Sequence, residues 1–366
     1  MAPRDHEDDD LTLHDLIEGP TRDLTAARAA AQAQSHPQSH PTQAHPSSDD
    51  HEVDGTSGDP QGSQPHDRRG EGEREEAGSE GRRRVALSRL PASGALYRRA
   101  LLGVVPGVGG RRGADVPGLE LGVSGVAVDQ RHLADYDRVC GFRLTDRLPA
   151  TYLHVLGFPL SLRLMTGPGF PIPLTGVVHV ANRITVHRPV EVGESVDFHT
   201  YAENLRPHER GRQLDVVLVG SIGGEEVWRG VSTYLGKERA AGGGPRRDRG
   251  DRPAPPAASA RWRVTPRVGT GYARVSSDHN PIHTSKLGAR LFGFPRPIAH
   301  GMWSKARCLA ALEPRLPEAY TVDVSFKLPV PLPSTVAFSA SPTGEGWDFA
   351  LHSARDGRPH LVGSVR

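Results

Sequence analysis

The stretch from Tyr272 to Met302, YARVSSDHNPIHTSKLGARLFGFPRPIAHGM, holds the densest set of chemically capable residues in the chain. Asp278 and His283 stand five residues apart, with Asn280-Pro281 between them. On an ideal helix that spacing turns the two side chains about 140° apart. Pro281 disfavours helical geometry at Asn280, so the pattern predicts a bent loop that aims a carboxylate and an imidazole at one small volume. Such a pair suits holding and deprotonating a water, or protonating a leaving hydroxyl. Ser276 and Ser277 lack the glycine-flanked elbow of the hydrolases, so no nucleophile relay competes with it.

His300-Gly301-Met302 falls at the predicted start of a long helix. Backbone N–H groups there are unpaired and the helix dipole is positive. Gly301 lets a ligand approach the backbone closely. A thioester carbonyl placed there would have its enolate charge stabilised. Taken singly, each residue also has an ordinary structural role: Asp278 as a cap or turn residue, His283 as a satisfied histidine, Asn280 as a turn former, Gly301 as a packing glycine. His279 is expected to face solvent and His300 to orient the loop. It is the combination of Asp-x-Asn-Pro-x-His with Ile-Ala-His-Gly-Met that points to chemistry.

The elements that must hold these residues repeat. Tyr136-Asp-Arg-Val139-Cys140 matches Tyr272-Ala-Arg-Val275-Ser276 at an offset of 136. Ile184-Thr-Val-His-Arg-Pro189-Val190 matches Val324-Ser-Phe-Lys-Leu-Pro329-Val330 at an offset of 140. Two matches in one order at nearly one offset indicate duplication. Each unit reads as a short helix and a loop, then a longer helix, about 148–164 in the first unit and 298–312 in the second. Three or four strands rich in Val, Ile, Phe and Thr follow. These are roughly 176–186, 195–205, 213–222 and 225–235, then 320–327, 335–341, 347–354 and 360–365. A helix followed by an antiparallel meander is an α+β unit, and the helix buries its apolar stripe only by lying on the sheet. A helix over about 90–105 and a strand over 119–128 open the first unit. Pro297, near the start of the second long helix, and Pro314, after its end, punctuate it as expected.

Two stretches fall outside this pattern. Residues 1–84 are rich in polar and charged residues and nearly free of aromatics, which predicts a disordered tail. Seven histidines lie there (His6, His14, His36, His40, His45, His51, His66), but irregular spacing without cysteine favours plain disorder over a metal site. A true start further downstream would account for the same bias. Residues 237–260, KERAAGGGPRRDRGDRPAPPAASA, read as a flexible linker between the first unit, 85–236, and the second, 261–366.

Composition excludes several classes. Hydrophobic residues are 36% of 366, too few for a fully globular chain, while 42 Gly and 32 Pro stop short of low complexity throughout. A net charge of +2 gives no case for nucleic acid or an anionic membrane. Cys140 and Cys308 cannot make a disulfide framework and suit a cytoplasmic protein. No apolar signal region opens the chain, and no run of about 18 apolar residues spans a membrane.

SSDHNPIHTSKLGARLFGFPRPIAHGM resembles the hydratase motif of the MaoC-like family, which includes (R)-specific enoyl-CoA hydratases and 3-hydroxyacyl-thioester dehydratases. Residues 85–366 resemble its double-hotdog members, in which an antiparallel sheet wraps around one long helix in each half. The resemblance implies a hydro-lyase that interconverts (R)-3-hydroxyacyl and trans-2-enoyl thioesters, carried on CoA or acyl carrier protein, in fatty-acid metabolism. It places the catalytic pair on Asp278 and His283 and the oxyanion N–H on Gly301. It implies no metal and no cofactor. Asn280, His300, Met302 and Arg296 are expected to bind substrate. Arg290, Arg296 and Lys305 are candidate contacts for the carrier's phosphates. The family carries glycine just before the aspartate where this chain has Ser277, so a small change in the turn is expected. By the offset of 136, Phe142 stands for Asp278 and Arg147 for His283, which predicts one active site per chain. The first unit then shapes the acyl pocket through segments 157–160 and 165–171. Fused hotdogs already satisfy the usual pairing, and dimers of such fusions are common in the family. A hotdog thioesterase, or a silent acyl-binding or partner subunit, are the competing expectations.

Overall fold

The computed structural model describes residues 73–77, 81–102, 113–174, 176–237 and 255–366. Nearly all of the expected tail, and the linker from 238 to 254, lie outside the described residues. The tail does not run unbroken to residue 84, however. Strands β1 (Glu73–Ala77) and β2 (Arg83–Leu87) pair antiparallel, and β2 adds in parallel to β3 (Leu119–Val126). Helix α1 (Ser93–Leu102) lies between β2 and β3 in sequence.

The first half continues with α2 (Gln130–Cys140), α3 (Ala150–Met165), β4 (Val178–Val186), β5 (Val196–His208), β6 (Gly211–Ile222) and β7 (Glu225–Lys237). The second runs through β8 (Ala260–Val264), α4 (Pro266–Ser276), α5 (Pro281–Thr284), α6 (Lys286–Leu291), α7 (Gly301–Leu312), β9 (Tyr320–Phe326), β10 (Ser334–Thr343), β11 (Gly346–Ser353) and β12 (Pro359–Val365). Among the described residues the strands form one twelve-stranded sheet, ordered β1-β2-β3-β5-β6-β7-β4-β9-β12-β11-β10-β8. Within each half the order is first, third, fourth, fifth, second, so the halves share one topology and meet edge to edge where β4 pairs β9. Each is a hotdog, and together they are a double hotdog.

The long helices are the fillings. α3, ATYLHVLGFPLSLRLM, is buried on nearly every face, as a helix apolar all round must be. Trp228 Nε1–H, buried on β7, donates to the Ala150 carbonyl at 2.9 Å and pins the start of α3 to the sheet. α7 sits equivalently in the second half, and one continuous apolar core joins the two.

The duplication extends to single residues. α2 and α4 begin and end at the same offset of 136, and each is followed by a left-handed residue, Gly141 (φ 84°) and Ser277 (φ 58°). Across the β4–β9 seam Arg183 stands opposite Asp323, its own counterpart at the offset of 140. The local two-fold axis therefore passes between them. A symmetric dimer would put like residues face to face there. The fused chain instead places an ion pair, Arg183 Nε to Asp323 Oδ1 at 2.6 Å. Behind the seam, Lys305 of α7 is fully buried. Its Nζ donates to Asn182 Oδ1 (2.6 Å) and to the carbonyls of Asn182 (3.1 Å) and Val322 (3.2 Å). Lys305 is thus a buried tie between the halves and not a contact for a carrier's phosphate.

One equivalence expected from the sequence is corrected. Leu148 N–H donates to the Val190 carbonyl just as Ala299 N–H donates to Val330, both at 2.8 Å. The isolated bridges Arg147–Glu191 and Ile298–Pro331 match in the same way. Arg147 therefore corresponds to Ile298, at an offset of 151. The second half carries 15 extra residues between these points, and they include α5 and α6. His283 has no counterpart in the first half. Arg147 instead forms an exposed ion pair with Glu318, and Phe142 stacks on Tyr136. No helix among the described residues is long and apolar enough to cross a membrane.

Candidate active site

The bend that joins Asp278 to His283 is built in two steps. α4 stops at Ser277, whose left-handed backbone turns the chain sharply. Asn280 then caps α5, its Oδ1 accepting from Ile282 N–H at 3.3 Å, and Pro281 takes the first helical position. The expected loop thus contains one helical turn, because Pro281 disfavours helix before itself yet suits a helix start. α6 follows, with Ser285 Oγ accepting from Gly288 N–H at 3.2 Å. Ala289, Phe294 and Ile298 form a small apolar cluster that holds this segment down.

Asp278, Asn280, His283, His300, Gly301 and Met302 all line one cavity of about 230 Å³. Asp278 Oδ1 accepts from Tyr97 O–H at 2.5 Å and from Asn280 N–H at 3.2 Å. His283 Nδ1 lies 2.8 Å from the Ile298 carbonyl, which can only accept, so Nδ1 carries the proton and Nε2 keeps a lone pair. His300 Nε2–H donates to the backbone carbonyl of Asp278 at 3.1 Å, the loop-orienting contact expected of it. The rings of His283 and His300 stack with centroids 3.6 Å apart and planes 24° apart. Tyr272 packs against His300 in a tilted arrangement, with centroids 4.9 Å apart. A carboxylate oxygen of Asp278 and one ring nitrogen each of His283 and His300 lie within 4.8 Å of one another.

That cluster is better suited to protons than to a metal ion. Ring lone pairs lie in the ring planes, and those of two stacked imidazoles run side by side instead of converging on one ion. Burial pushes the His300 imidazole down to about 3, helped by neighbouring His283. Burial also lowers His283, against the pull of Asp278 and the Ile298 carbonyl. For Asp278, burial pushes the carboxyl up. The imidazoles of His300 and His283, the Tyr97 phenol and Asn280 N–H outweigh it and hold the carboxyl below its ordinary value. At neutral pH the site therefore presents a carboxylate beside two neutral imidazoles.

Gly301 opens α7 at the cavity wall, with His300 in extended geometry before it. A Cβ at 301 would lie 3.1 Å from the Phe326 ring, so glycine is what lets the backbone and Phe326 approach each other. The first half adds His154, Phe158, Met165, Leu174, His179 and Tyr234 to the lining, and of the expected segments 157–160 and 165–171 Phe158 and Met165 reach the cavity.

Arg296 does not reach the cavity. It is exposed and its Nη1 donates to the Pro333 carbonyl at 3.3 Å, because the turn around Pro295 and Pro297 carries it outward. Arg290 is likewise exposed, on the outer face of α6. The cation that does line the cavity is Lys327, half-buried and with its amine pushed down by burial. Sequence reasoning missed Tyr97, His154, His179, Tyr234 and Lys327. His154 carried a visible signal, as an ionisable residue in the otherwise apolar first three turns of α3. Tyr97 carried none, since nothing in a short helix 181 residues away points at Asp278.

Residues 253–355 match the MaoC like domain family. The chain is 39% identical over 269 residues to 3-hydroxyacyl-thioester dehydratase X of Mycobacterium tuberculosis, covering 73% of this chain and 95% of that protein. The crystal structure of HtdX from the same organism superposes with a TM-score of 0.61 at 38% identity, over 68% of this chain and 99% of that one. A MaoC-like dehydratase of Phytophthora capsici shares the fold, with a TM-score of 0.55 at 17% identity over 67% of this chain and 94% of that one. With its fused hotdogs and its Asp–His bend at the mouth of α7, the chain belongs to the MaoC-like family.

Proposed function

We propose that this protein is a 3-hydroxyacyl-thioester dehydratase, a hydro-lyase interconverting (R)-3-hydroxyacyl and trans-2-enoyl thioesters of CoA or an acyl carrier protein. The observation that carries the reading is the facing pair of acceptors, the Asp278 carboxylate and His283 Nε2, in one cavity with Gly301. A carboxylate oxygen of Asp278 and a ring nitrogen of His283 lie within 4.8 Å of each other, close enough for one water to bridge the pair by hydrogen bonds of about 2.8 Å.

In the hydration direction that water donates one hydrogen to Asp278 and the other to His283 Nε2. Its oxygen bonds to Cβ of the enoyl group as one O–H bond breaks. The proton passes through the pair to Cα on the same face, the C=C π bond is consumed, and the pair returns to its starting state. Addition is syn. Gly301 N–H, first of the unpaired donors of α7, stabilises the enolate oxygen that develops between these events. Dehydration runs the same path backwards. The walls from the first half hold the acyl chain, and that half, 85–236, serves as the degenerate one, with no Asp–His pair of its own.

The relative in Mycobacterium tuberculosis, named a 3-hydroxyacyl-thioester dehydratase, supports the reaction class. The test is loss of the enoyl-thioester absorbance with trans-2-enoyl-CoAs of increasing length and with the matching acyl-carrier-protein thioesters, thiol release being followed in parallel. Loss of the band without thiol release is expected. Thiol release would favour a thioesterase, and no change with either carrier would favour a silent subunit.

A further inference from the structure

Tyr97 reaches the cavity from α1, ahead of the five strands β3–β7 of the first hotdog and outside the matched family segment. Leu96 and Tyr97 of α1 are buried with Leu162 of α3, against Phe158 and Leu174. That seat delivers the phenol to Asp278, where it shares Oδ1 with Asn280 N–H. Oδ1 thus has two donors. Among the described residues none donates to Oδ2, and His300 Nε2, the nearby candidate at 3.9 Å, is committed to the Asp278 backbone carbonyl. A carboxylate rotates about its Cβ–Cγ bond, and two donors on one oxygen stop that rotation with the other oxygen free.

Resting on the dehydratase reading above, we propose that Tyr97 is a positioning residue, which ties down Oδ1 of Asp278 so that Oδ2 alone faces the water shared with His283. The N-terminal helix α1 is then a part of the active site that the hotdog core alone does not supply. Tyr97 does not act as the acid. Burial pushes its phenol well above the ordinary value, with the Asp278 charge adding to this, and its one proton is spent on Asp278. The other titratable groups facing Asp278 are Tyr272 from α4, His283 from α5, His300 ahead of α7, His154 from α3, His179 from β4 and Tyr234 from β7. The histidines are pushed down and the tyrosines up, so all are neutral near pH 7. Removing the Tyr97 hydroxyl therefore changes one contact and no neighbouring charge.

The test is Tyr97→Phe in the full chain, assayed with crotonyl-CoA. We expect kcat to fall roughly tenfold or more, the weight of one hydrogen bond to a charged group, with KM within about threefold. The acid limb of the kcat/KM profile should move to higher pH, because the carboxylate loses a donor that favours its charged form. A purely structural tyrosine would leave that limb in place. A cycle of Tm values for Tyr97→Phe, Asp278→Ala (which removes the acceptor) and the double variant should be non-additive, the double losing less than the two singles together. An unmoved acid limb with full kcat, or additive Tm shifts, overturns the positioning role while leaving the dehydratase reading intact. An unmodified chain inert toward every enoyl thioester overturns that reading, and this proposal with it.

Discussion

Acidification should unfold this protein through the histidines that line its cavity. His154 and His300 are buried and His179 is half-buried, and desolvation pushes His154 down to about 4 and His179 and His300 to about 3, with Lys305 or neighbouring histidines adding to it. The unfolded chain binds these protons at an ordinary pKa of about 6.5. Between about pH 6.5 and 4 it therefore holds more protons than the folded chain, and stability falls as pH falls. Each histidine costs about 1.4 kcal/mol per pH unit in that window. At pH 5.5 the three together remove about 4 kcal/mol, and at pH 4.5 about 8 kcal/mol. That is most of the ~5–15 kcal/mol by which a native protein is stable. His283 acts with the same sign, and Asp278 adds its own loss only at lower pH, below its ordinary carboxyl value. Urea unfolding followed by tryptophan fluorescence at pH 7.5, 6.5, 5.5 and 4.5 measures this. His179→Gln should flatten the steep part of the curve by about 1.4 kcal/mol per pH unit. Stability that stays level from pH 7 to 5, or a slope as steep in His179→Gln as in the unmodified chain, would refute the reasoning.

Two further outcomes follow from packing. Gly301→Ala puts a methyl group 3.1 Å from the Phe326 ring, which must give by a few tenths of an ångström, so the N–H shifts. kcat should fall about tenfold or more while circular dichroism is unchanged. Lys305→Met strips the donor from Asn182 Oδ1 and two carbonyls inside the seam. The cost should be about 2–4 kcal/mol, read by calorimetry as a Tm lower by roughly 5–10 °C, and an unchanged Tm would mean the seam does not need this tie.

Much of this architecture was legible from periodicity. The long helices and nearly every strand of both hotdogs fall within a few residues of their expected ranges, because alternating apolar runs between turn residues leave few other folds. The strands at the two ends of the sheet were not legible. β1, EREEA, has no apolar alternation, and β8 sits at the end of a linker-like stretch, so only pairing with a neighbour makes them strands. The active-site bend was read from Asp278, Pro281 and His283, since proline restricts its own neighbourhood whatever the tertiary context. Arg147 was matched to the wrong residue because a constant offset cannot see a 15-residue insertion, whereas backbone pairing can. Lys305 and Arg296 were offered for phosphates on charge alone. Burial of one and the outward turn at the other depend on packing that no local pattern records.

The most direct test of the account is turnover of crotonyl-CoA by Asp278→Asn. Asparagine keeps the shape and can still accept from Tyr97 and Asn280 N–H, so the fold and its Tm should hold within a few degrees. What it loses is the base. Initial rates should fall by at least about 10²-fold with the KM little changed. Turnover within tenfold of the unmodified chain would contradict the assignment of water activation to Asp278 and His283.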